Sequence, residues 1–367
     1  MNLIISNVLV VTAIGGILAL LLVLAEMIFA NYGECKIDIN GGKKVLSVQG
    51  GGHLLGALAD NKLFIPSACG GRGSCGYCKV KVLEGAGPVL PTEKPYLTAQ
   101  ELAGNIRLSC QIKVKNDIQI EIPPELFAIR QFKARVSEIV DYTYDIKGVT
   151  FDLLEPDTIE FKAGQYVQLR APKYGKVRES VSRAYSISSH PEDNRRLQLI
   201  IRLVPEGILT TWVHQHMHVG DEVSFTGPFG DFFIRDTDAD MFFIAGGSGK
   251  APIKSMVEHL KLAGSQRRMV YFFGARTMKD LYLTEEFRGF EQDLHDFTFV
   301  PVLSQPEEGS GWAGRTGYVL PYFQEFLRDP AKTEAYLCGS PGMLNAAVKK
   351  LKELGIPDEN IFFDSFA

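Results

Sequence analysis

A chain of 367 residues with 46% hydrophobic content has room for two or three folded domains and is ordinary globular material, not a disordered chain. Its net charge of -4 leaves no basic footprint, so nucleic acid is not an expected partner. Of its six cysteines, four gather around one motif, and Cys35 and Cys338 are too far apart in sequence to suggest a disulfide framework, which fits a reducing compartment.

Residues 1–30 come first. Met1 to Ala25 has no charged side chain, and after Glu26 the apolar run continues through Met27-Ile28-Phe29-Ala30. About 20 apolar residues span a bilayer, so this stretch is expected to be a single transmembrane helix. A signal peptide would show a basic start and a shorter apolar core, whereas no Lys or Arg precedes Lys36. Lys36, Lys43 and Lys44 follow the span, which puts the remaining domains on the cytoplasmic side. Cys35, just beyond the span, reads more simply as a plain thiol than as a lipidation site.

Residues 35–125 read as a small β-rich fold of β-grasp-like α+β type. Cys35 to Asn40 alternates apolar and polar, and Asn40-Gly41-Gly42 turns the chain into Val45-Leu46-Ser47-Val48, a hairpin signal. Leu54 to Ala59 is a short helix, and Lys79–Leu83 and Ile118–Ile122 are strands. Between them lies Cys69-Gly-Gly-Arg-Gly-Ser-Cys75-Gly-Tyr-Cys78, with Cys110 downstream. Four thiolates complete tetrahedral sulfur around the two irons of a 2Fe–2S cluster. Gly70, Gly71, Gly73 and Gly76 supply positive φ angles and let amides approach the sulfides. The C-x5-C-x2-C spacing is one residue longer than the plant type. A structural zinc site, the competing reading, usually comes as two close cysteine pairs. Pro123-Pro124 marks a boundary.

Residues 128–235 carry short strands at Phe132–Val136, Ile159–Phe161, Tyr166–Arg170, Leu197–Arg202 and Glu222–Phe225, spaced as in an antiparallel β-barrel. Arg183-Ala184-Tyr185-Ser186 sends Arg183 and Tyr185 to one strand face and Ser186 to the other. The arginine fork suits a pyrophosphate, the tyrosine ring a flat heterocycle, and the hydroxyl a ring nitrogen. Gly207 to Trp212 opens a helix whose N-terminus suits an anion, and Gly227-Pro228-Phe229-Gly230 closes the barrel. The three in this order mark a flavin site. His214, His216 and His218 are expected to be solvated or capping residues, because His216 cannot share a helix face with the other two.

Residues 238–367 alternate strands and helices as a doubly wound α/β domain. Met241–Ala245 is a continuous apolar strand, as buried parallel sheets require, and it runs into Gly246-Gly247-Ser248-Gly249 and then a helix. That is a phosphate cradle, though neither G-x-G-x-x-G nor a Walker loop. Further strands are Met269–Arg276, Phe297–Leu303 and Ala335–Cys338, with a helix from Met343, and ligands are expected at the strand C-termini. Cys338 sits at such an end, where a buried structural thiol is the plain alternative to a functional one.

With these landmarks placed, the flavin and nicotinamide halves resemble the ferredoxin–NADP reductase superfamily. The whole order, membrane helix, ferredoxin, flavin barrel and nicotinamide domain, is similar to the F-subunit family of Na+-translocating NADH:quinone reductases. The resemblance is carried by the cysteine motif, Arg183–Ser186, Gly227–Gly230, and the stretch from Tyr271 to Phe366 including Asn345-Ala346-Ala347-Val348 and Asp364-Ser365-Phe366. It implies FAD, with Arg183 on its pyrophosphate, Tyr185 packed on the isoalloxazine, Ser186 near N5, and Thr210 or Thr211 on phosphate. It implies NADH on Gly246, Gly247 and Gly249, with Cys338 and Gly339 near the nicotinamide and Phe366 on the outer flavin face. It implies a single-pass protein of a prokaryotic inner membrane, other integral membrane subunits as partners, and quinone as the final acceptor reached through them. Two features depart from the family: the connection Leu203-Val204-Pro205-Glu206 is short where a proline-rich insertion is usual, and Lys250 stands where a small or apolar residue is usual.

The expected function is therefore electron entry: hydride from NADH to flavin, then single electrons through the cluster to a membrane partner. Phe366 would move aside to admit the nicotinamide. A plant-type cluster lies near about −400 mV, below a typical NAD couple, and the longer cysteine loop is a candidate cause of a higher potential. One helix without interior charges forms no ion path. The alternative is a membrane-tethered NAD(P)H reductase feeding an oxygenase or another soluble acceptor, and a non-enzymatic electron-transfer or redox-sensing module is a third class. Arg276, at the end of the second strand of the last domain, leaves NADPH open.

Overall fold

The computed structural model describes residues 2–29 and 32–365, so the expected contribution of Phe366 lies outside the described residues. The chain divides into two compact units, residues 1–128 and 129–367.

The first unit opens with α1 (Asn2–Phe29), a 28-residue helix. Val10, Val11, Ile14, Ile17, Leu18, Leu20, Leu21 and Val23 on it are 53–70% exposed. Among the described residues no helix is long and apolar enough to cross a membrane. Beyond it lies a sheet of β1 (Glu34–Ile39), β2 (Lys44–Gln49), β3 (Lys79–Glu84), β4 (Ile106–Leu108) and β5 (Ile118–Glu121), in the order β2-β1-β5-β3-β4. The β1–β2 hairpin turns through Asn40, Gly41 and Gly42 at φ 56, 64 and 86. β1 and β5 pair in parallel at the centre, the β-grasp arrangement expected from the sequence. Strand alternation sends Ile37, Ile39, Ile118, Ile120 and Val80 inward, where α2 (Leu54–Asp60) covers them with Leu54 and Leu58. The short α3 (Ala99–Ala103) is fixed by a capping box between Thr98 and Glu101.

The second unit holds two six-stranded sheets. In the first, β6 (Arg130–Asp141), β7 (Ile146–Glu155), β8 (Tyr166–Ala171), β9 (Val181–Ser186), β10 (Arg196–Arg202) and β11 (Glu222–Phe229) run in the order β10-β7-β6-β11-β8-β9. All its pairings are antiparallel, and the bridge between Ile187 and Leu199 brings the two edges together into a barrel. α4 (Ile208–Gln215) plugs it with Leu209, Trp212 and Val213. The strand expected at Ile159–Phe161 does not form: Ile159 is buried, but the segment is irregular between β7 and β8.

In the second sheet β12 (Asp240–Gly246), β13 (Met269–Ala275), β14 (Phe297–Leu303), β15 (Arg315–Thr316), β16 (Thr333–Gly339) and β17 (Ile361–Ser365) are all parallel, in the order β15-β14-β13-β12-β16-β17. Helices cover both faces, which is why these strands read as unbroken apolar runs. Met241, Phe243 and Ala245 face α5 (Lys250–Leu262) and α6 (Thr284–Asp293). Phe242 and Ile244 face α7 (Phe323–Phe326) and α8 (Pro341–Glu353).

Candidate functional site

The cysteine loop is held open by Gly70, Gly71, Gly73 and Gly76, all at positive φ between 67 and 87. Ser67 stabilises its entry by accepting the Gly71 amide at 2.9 Å. At the far side, Ser109 donates both its amide (2.8 Å) and its hydroxyl (3.0 Å) to the Cys78 carbonyl, which ties Cys110 to the loop. The four thiols lie as two pairs: Cys75 Sγ is 3.4 Å from Cys69 Sγ, and Cys78 is hydrogen-bonded to Cys110. Within each pair the shared proton lowers one thiol, Cys69 or Cys110, and raises its neighbour. Among the described residues no three His, Cys, Asp or Glu side chains converge on one metal ion. Two thiol pairs fit a centre with two metals, each taking two sulfurs, better than a single zinc.

In the second unit β9 carries Arg183, Tyr185 and Ser186. Arg183 Nη1 donates to the Ser182 carbonyl at 2.7 Å, and burial pushes the Tyr185 hydroxyl up. Ser186, 4% exposed, donates its hydroxyl to Asp364 Oδ2 at 3.4 Å. That bond joins the barrel strand to the end of β17. Thr210 is buried and its Oγ1 accepts the Val204 amide (3.1 Å) and faces the Val204 and Gly207 carbonyls (3.3 and 3.2 Å), so it caps the short 203–206 connection. Thr211, half-buried, sits beside it on the first turn of α4. Gly227 packs β11 on β8, where a side-chain carbon would stand 2.8 Å from Val167 Cγ1.

A cavity of about 550 Å³ opens at the C-terminal ends of the parallel strands. Gly246, Gly247 and Ser340 form its floor. Gly249 and Cys338 lie behind that floor: a side-chain carbon on Gly249 would be 2.2 Å from the Cys338 carbonyl oxygen. Cys338 is fully buried, and burial, then the Asp364 charge, pushes its thiol well up. At Gly339 a side-chain carbon would strike Met343 Cε at 2.7 Å.

Several residues that periodicity and motifs did not single out belong to this cavity. Arg202, at the end of β10, donates Nε to Asp145 Oδ2 at 2.7 Å, and its Nη1 stands 3.2 Å from where a Gly247 side chain would begin. Burial opposes ionisation of Asp280, but the Thr277 amide (2.8 Å) and hydroxyl (3.0 Å) and the Tyr144 hydroxyl (3.0 Å) hold it below the usual carboxylate range. Tyr318 is 75% exposed at the rim. Arg276, which the sequence had pointed to, also lines the cavity.

The histidines separate. α4 ends at Gln215, so His216 caps it and His218 lies beyond it. His214 Nε2 meets the Ile201 carbonyl at 3.1 Å, the His216 ring lies 4.9 Å from that of Tyr174, and the His218 amide donates to Asp221 at 2.8 Å.

Three family models match: a 2Fe-2S iron-sulfur cluster binding domain over 37–115, an oxidoreductase FAD-binding domain over 133–234 and an oxidoreductase NAD-binding domain over 243–349. The F subunit of the Na(+)-translocating NADH-quinone reductase of Neisseria meningitidis serogroup C (strain FAM18) is 36% identical over 403 residues, covering 99% of this chain and 99% of its own. The F subunit of the same enzyme from Pasteurella multocida (strain Pm70) is 35% identical over 390 residues, covering 95% and 96%. Among solved structures, the Amycolatopsis cytochrome P450 reductase GcoB superposes with a TM-score of 0.73 at 28% identity, over 90% of this chain and 98% of its own. A ferredoxin reductase in carbazole 1,9a-dioxygenase superposes with a TM-score of 0.70 at 25% identity, over 91% and 98%.

Proposed function

We propose that this chain, which belongs to the F-subunit family of Na(+)-translocating NADH-quinone reductases, is the electron-entry component of a membrane complex that passes electrons from NADH to quinone. The chain is an oxidoreductase with FAD, NADH and 2Fe-2S domains. When bound, FAD converts the two-electron chemistry of NADH into the single-electron steps a 2Fe–2S cluster carries. The protein's own part is to bind, orient and handle the proton.

The observation that carries this reading is the Ser186–Asp364 hydrogen bond at 3.4 Å, which sets the flavin strand against the last strand of the nucleotide sheet. Ser186 would hydrogen-bond the flavin ring and orient it for the hydride that NADH supplies, and Asp364, bonded to Ser186, would take up the proton the ring releases once its electrons leave. Arg183 binds the FAD pyrophosphate and Tyr185 packs on the ring. With the Thr210 hydroxyl given to the backbone, Thr211 is the free hydroxyl for phosphate, and Gly227 keeps the barrel wall close. Gly246 and Gly247 floor the dinucleotide diphosphate site with Arg202 as its cation. Gly249 lets the turn before α5 approach the Cys338 carbonyl of β16, and Gly339 makes room for Met343, so that Cys338 stays behind the nicotinamide position. Cys69, Cys75, Cys78 and Cys110 hold the cluster.

The division of labour we assign is 1–30 anchor, 35–125 ferredoxin, 128–235 FAD barrel and 238–367 NADH domain. The anchor reading is supported by the uncharged, apolar run from Met1 to Ala25. The chain then crosses the inner membrane once, its soluble domains cytoplasmic, with integral membrane subunits taking electrons onward.

Anaerobic stopped-flow mixing with NADH tests the orienting role. Ser186→Ala and Asp364→Asn should each slow flavin bleaching by about 10²-fold or more with NADH affinity kept; unchanged rates would contradict it. The likeness to reductases named for a cytochrome P450 and a dioxygenase supports a second reading, a tethered reductase with a soluble acceptor. Gentle-detergent purification of the tagged chain from native membranes separates them: polytopic partners support the complex, a soluble oxygenase the alternative.

A further inference from the structure

We infer that Gln111 raises the reduction potential of the cluster by donating its side-chain amide to the sulfur of Cys110, and that Thr92 holds the amide in that orientation. The inference rests on the reading of the four thiols as cluster ligands.

Gln111 Nε2 lies 3.6 Å from Cys110 Sγ, within hydrogen-bond reach for an acceptor as large as sulfur. Its other end, Oε1, accepts the Thr92 hydroxyl at 2.9 Å. The two contacts hold the amide at both ends. A ligating thiolate has no proton to give, so it selects the NH2 group, and a carbonyl oxygen turned toward it would meet negative charge. The Thr92 hydroxyl, which can donate or accept, follows that choice and donates to Oε1 from the opposite side.

The cysteine loop makes room for this amide. At Gly73, with φ +74, a side-chain carbon would lie 2.5 Å from Gln111 Nε2. The segment presenting Thr92 is anchored by a buried ion pair. Arg107 Nε meets Glu93 Oε2 at 2.9 Å, and the remaining guanidinium nitrogens reach the Gly87 and Pro88 carbonyls at 2.9 and 3.0 Å. The Leu108 amide donates to the same Glu93 oxygen at 2.9 Å, two residues before Cys110. The donor is therefore held from the same framework that holds the ligand.

Reduction adds one negative charge to the cluster and its sulfurs. A fixed N–H donor stabilises that charge and makes the cluster a better electron acceptor. For a cluster filled from NADH through flavin, this is the direction that favours transfer.

The test is a redox titration of the full-length protein followed by the cluster's EPR signal, with iron and sulfide content measured in parallel. Gln111→Met keeps the volume and removes the donor, and its potential should shift negative. Thr92→Val leaves every cysteine contact in place and frees the amide to turn, so it should shift negative by a smaller amount. An intact cluster with an unmoved potential in both variants would overturn the inference. If Gln111→Met loses iron, Thr92→Val alone decides, by the same criterion. Wild-type protein binding no iron at its four thiols would instead overturn the ligand reading beneath, and the inference with it.

Discussion

At the first residue of α5, Lys250 Nζ donates to the Tyr282 carbonyl at 2.6 Å inside a box of rings, 3.8 Å from the Phe273 centroid and 4.7 Å from those of Tyr282 and Phe287. Tyr282 in turn donates its hydroxyl to the Gly247 carbonyl at 2.8 Å, so the lysine braces the floor of the nucleotide cavity. Burial holds its amine well below 10.5, against the pull of Glu286. Lys250→Met should leave the Tyr282 carbonyl unpaired, at a cost of about 1–3 kcal/mol. The pH dependence has a definite sign. The unfolded lysine keeps its proton up to 10.5 and the folded one gives it up earlier, so the wild type gains stability relative to Lys250→Met as pH rises toward 10.5. Denaturant unfolding at neutral pH and near pH 9 checks this; a difference independent of pH contradicts it. In sequence Lys250 was visible only as an odd residue, because the box is assembled from β13, the segment before α6, and α6 itself. Cys338 shows the same limit. Its buried, raised thiol should resist alkylation in the native protein and react only on unfolding.

Among the elements, the parallel strands were legible because burial on both faces leaves no polar alternation to confuse. β7 was not, although ten residues long: Gly148 interrupts its pattern, and the reason is a neighbour, since a side-chain carbon there would meet the Tyr142 ring at 2.5 Å. Ile159–Phe161 misled in the opposite way, an apolar segment buried without a ladder. α3 and β4 are too short, at five and three residues, to show a period. The site residues announced by motifs were all placeable, apart from Phe366 beyond the described residues. Arg202, Asp145 and Asp280 were not, because they reach the cavity from separate connections. Glycines give the sharpest element-scale prediction. Gly249→Ala would drive a carbon to 2.2 Å from the Cys338 carbonyl, backbone against backbone, and should raise KM for NADH at least about tenfold with flavin retained. Gly175→Ala, at φ +51 with nothing within 4 Å, should cost only about 1 kcal/mol and leave KM alone. Equal effects of the two would contradict the close approach of the turn before α5 to β16.

For the whole molecule, removal of residues 1–30 should release the protein from membranes while NADH still bleaches the flavin, read by fractionation and absorbance; retention on membranes would contradict the anchor. The central claim, that NADH electrons pass through flavin to the four-cysteine cluster, is tested most directly by anaerobic NADH addition to the intact protein, with flavin absorbance and cluster EPR followed together. Flavin bleaching and then a reduced-cluster signal are expected, and in Cys78→Ser the bleaching without that signal. Bleaching in the wild type with a cluster that never takes an electron would contradict the claim.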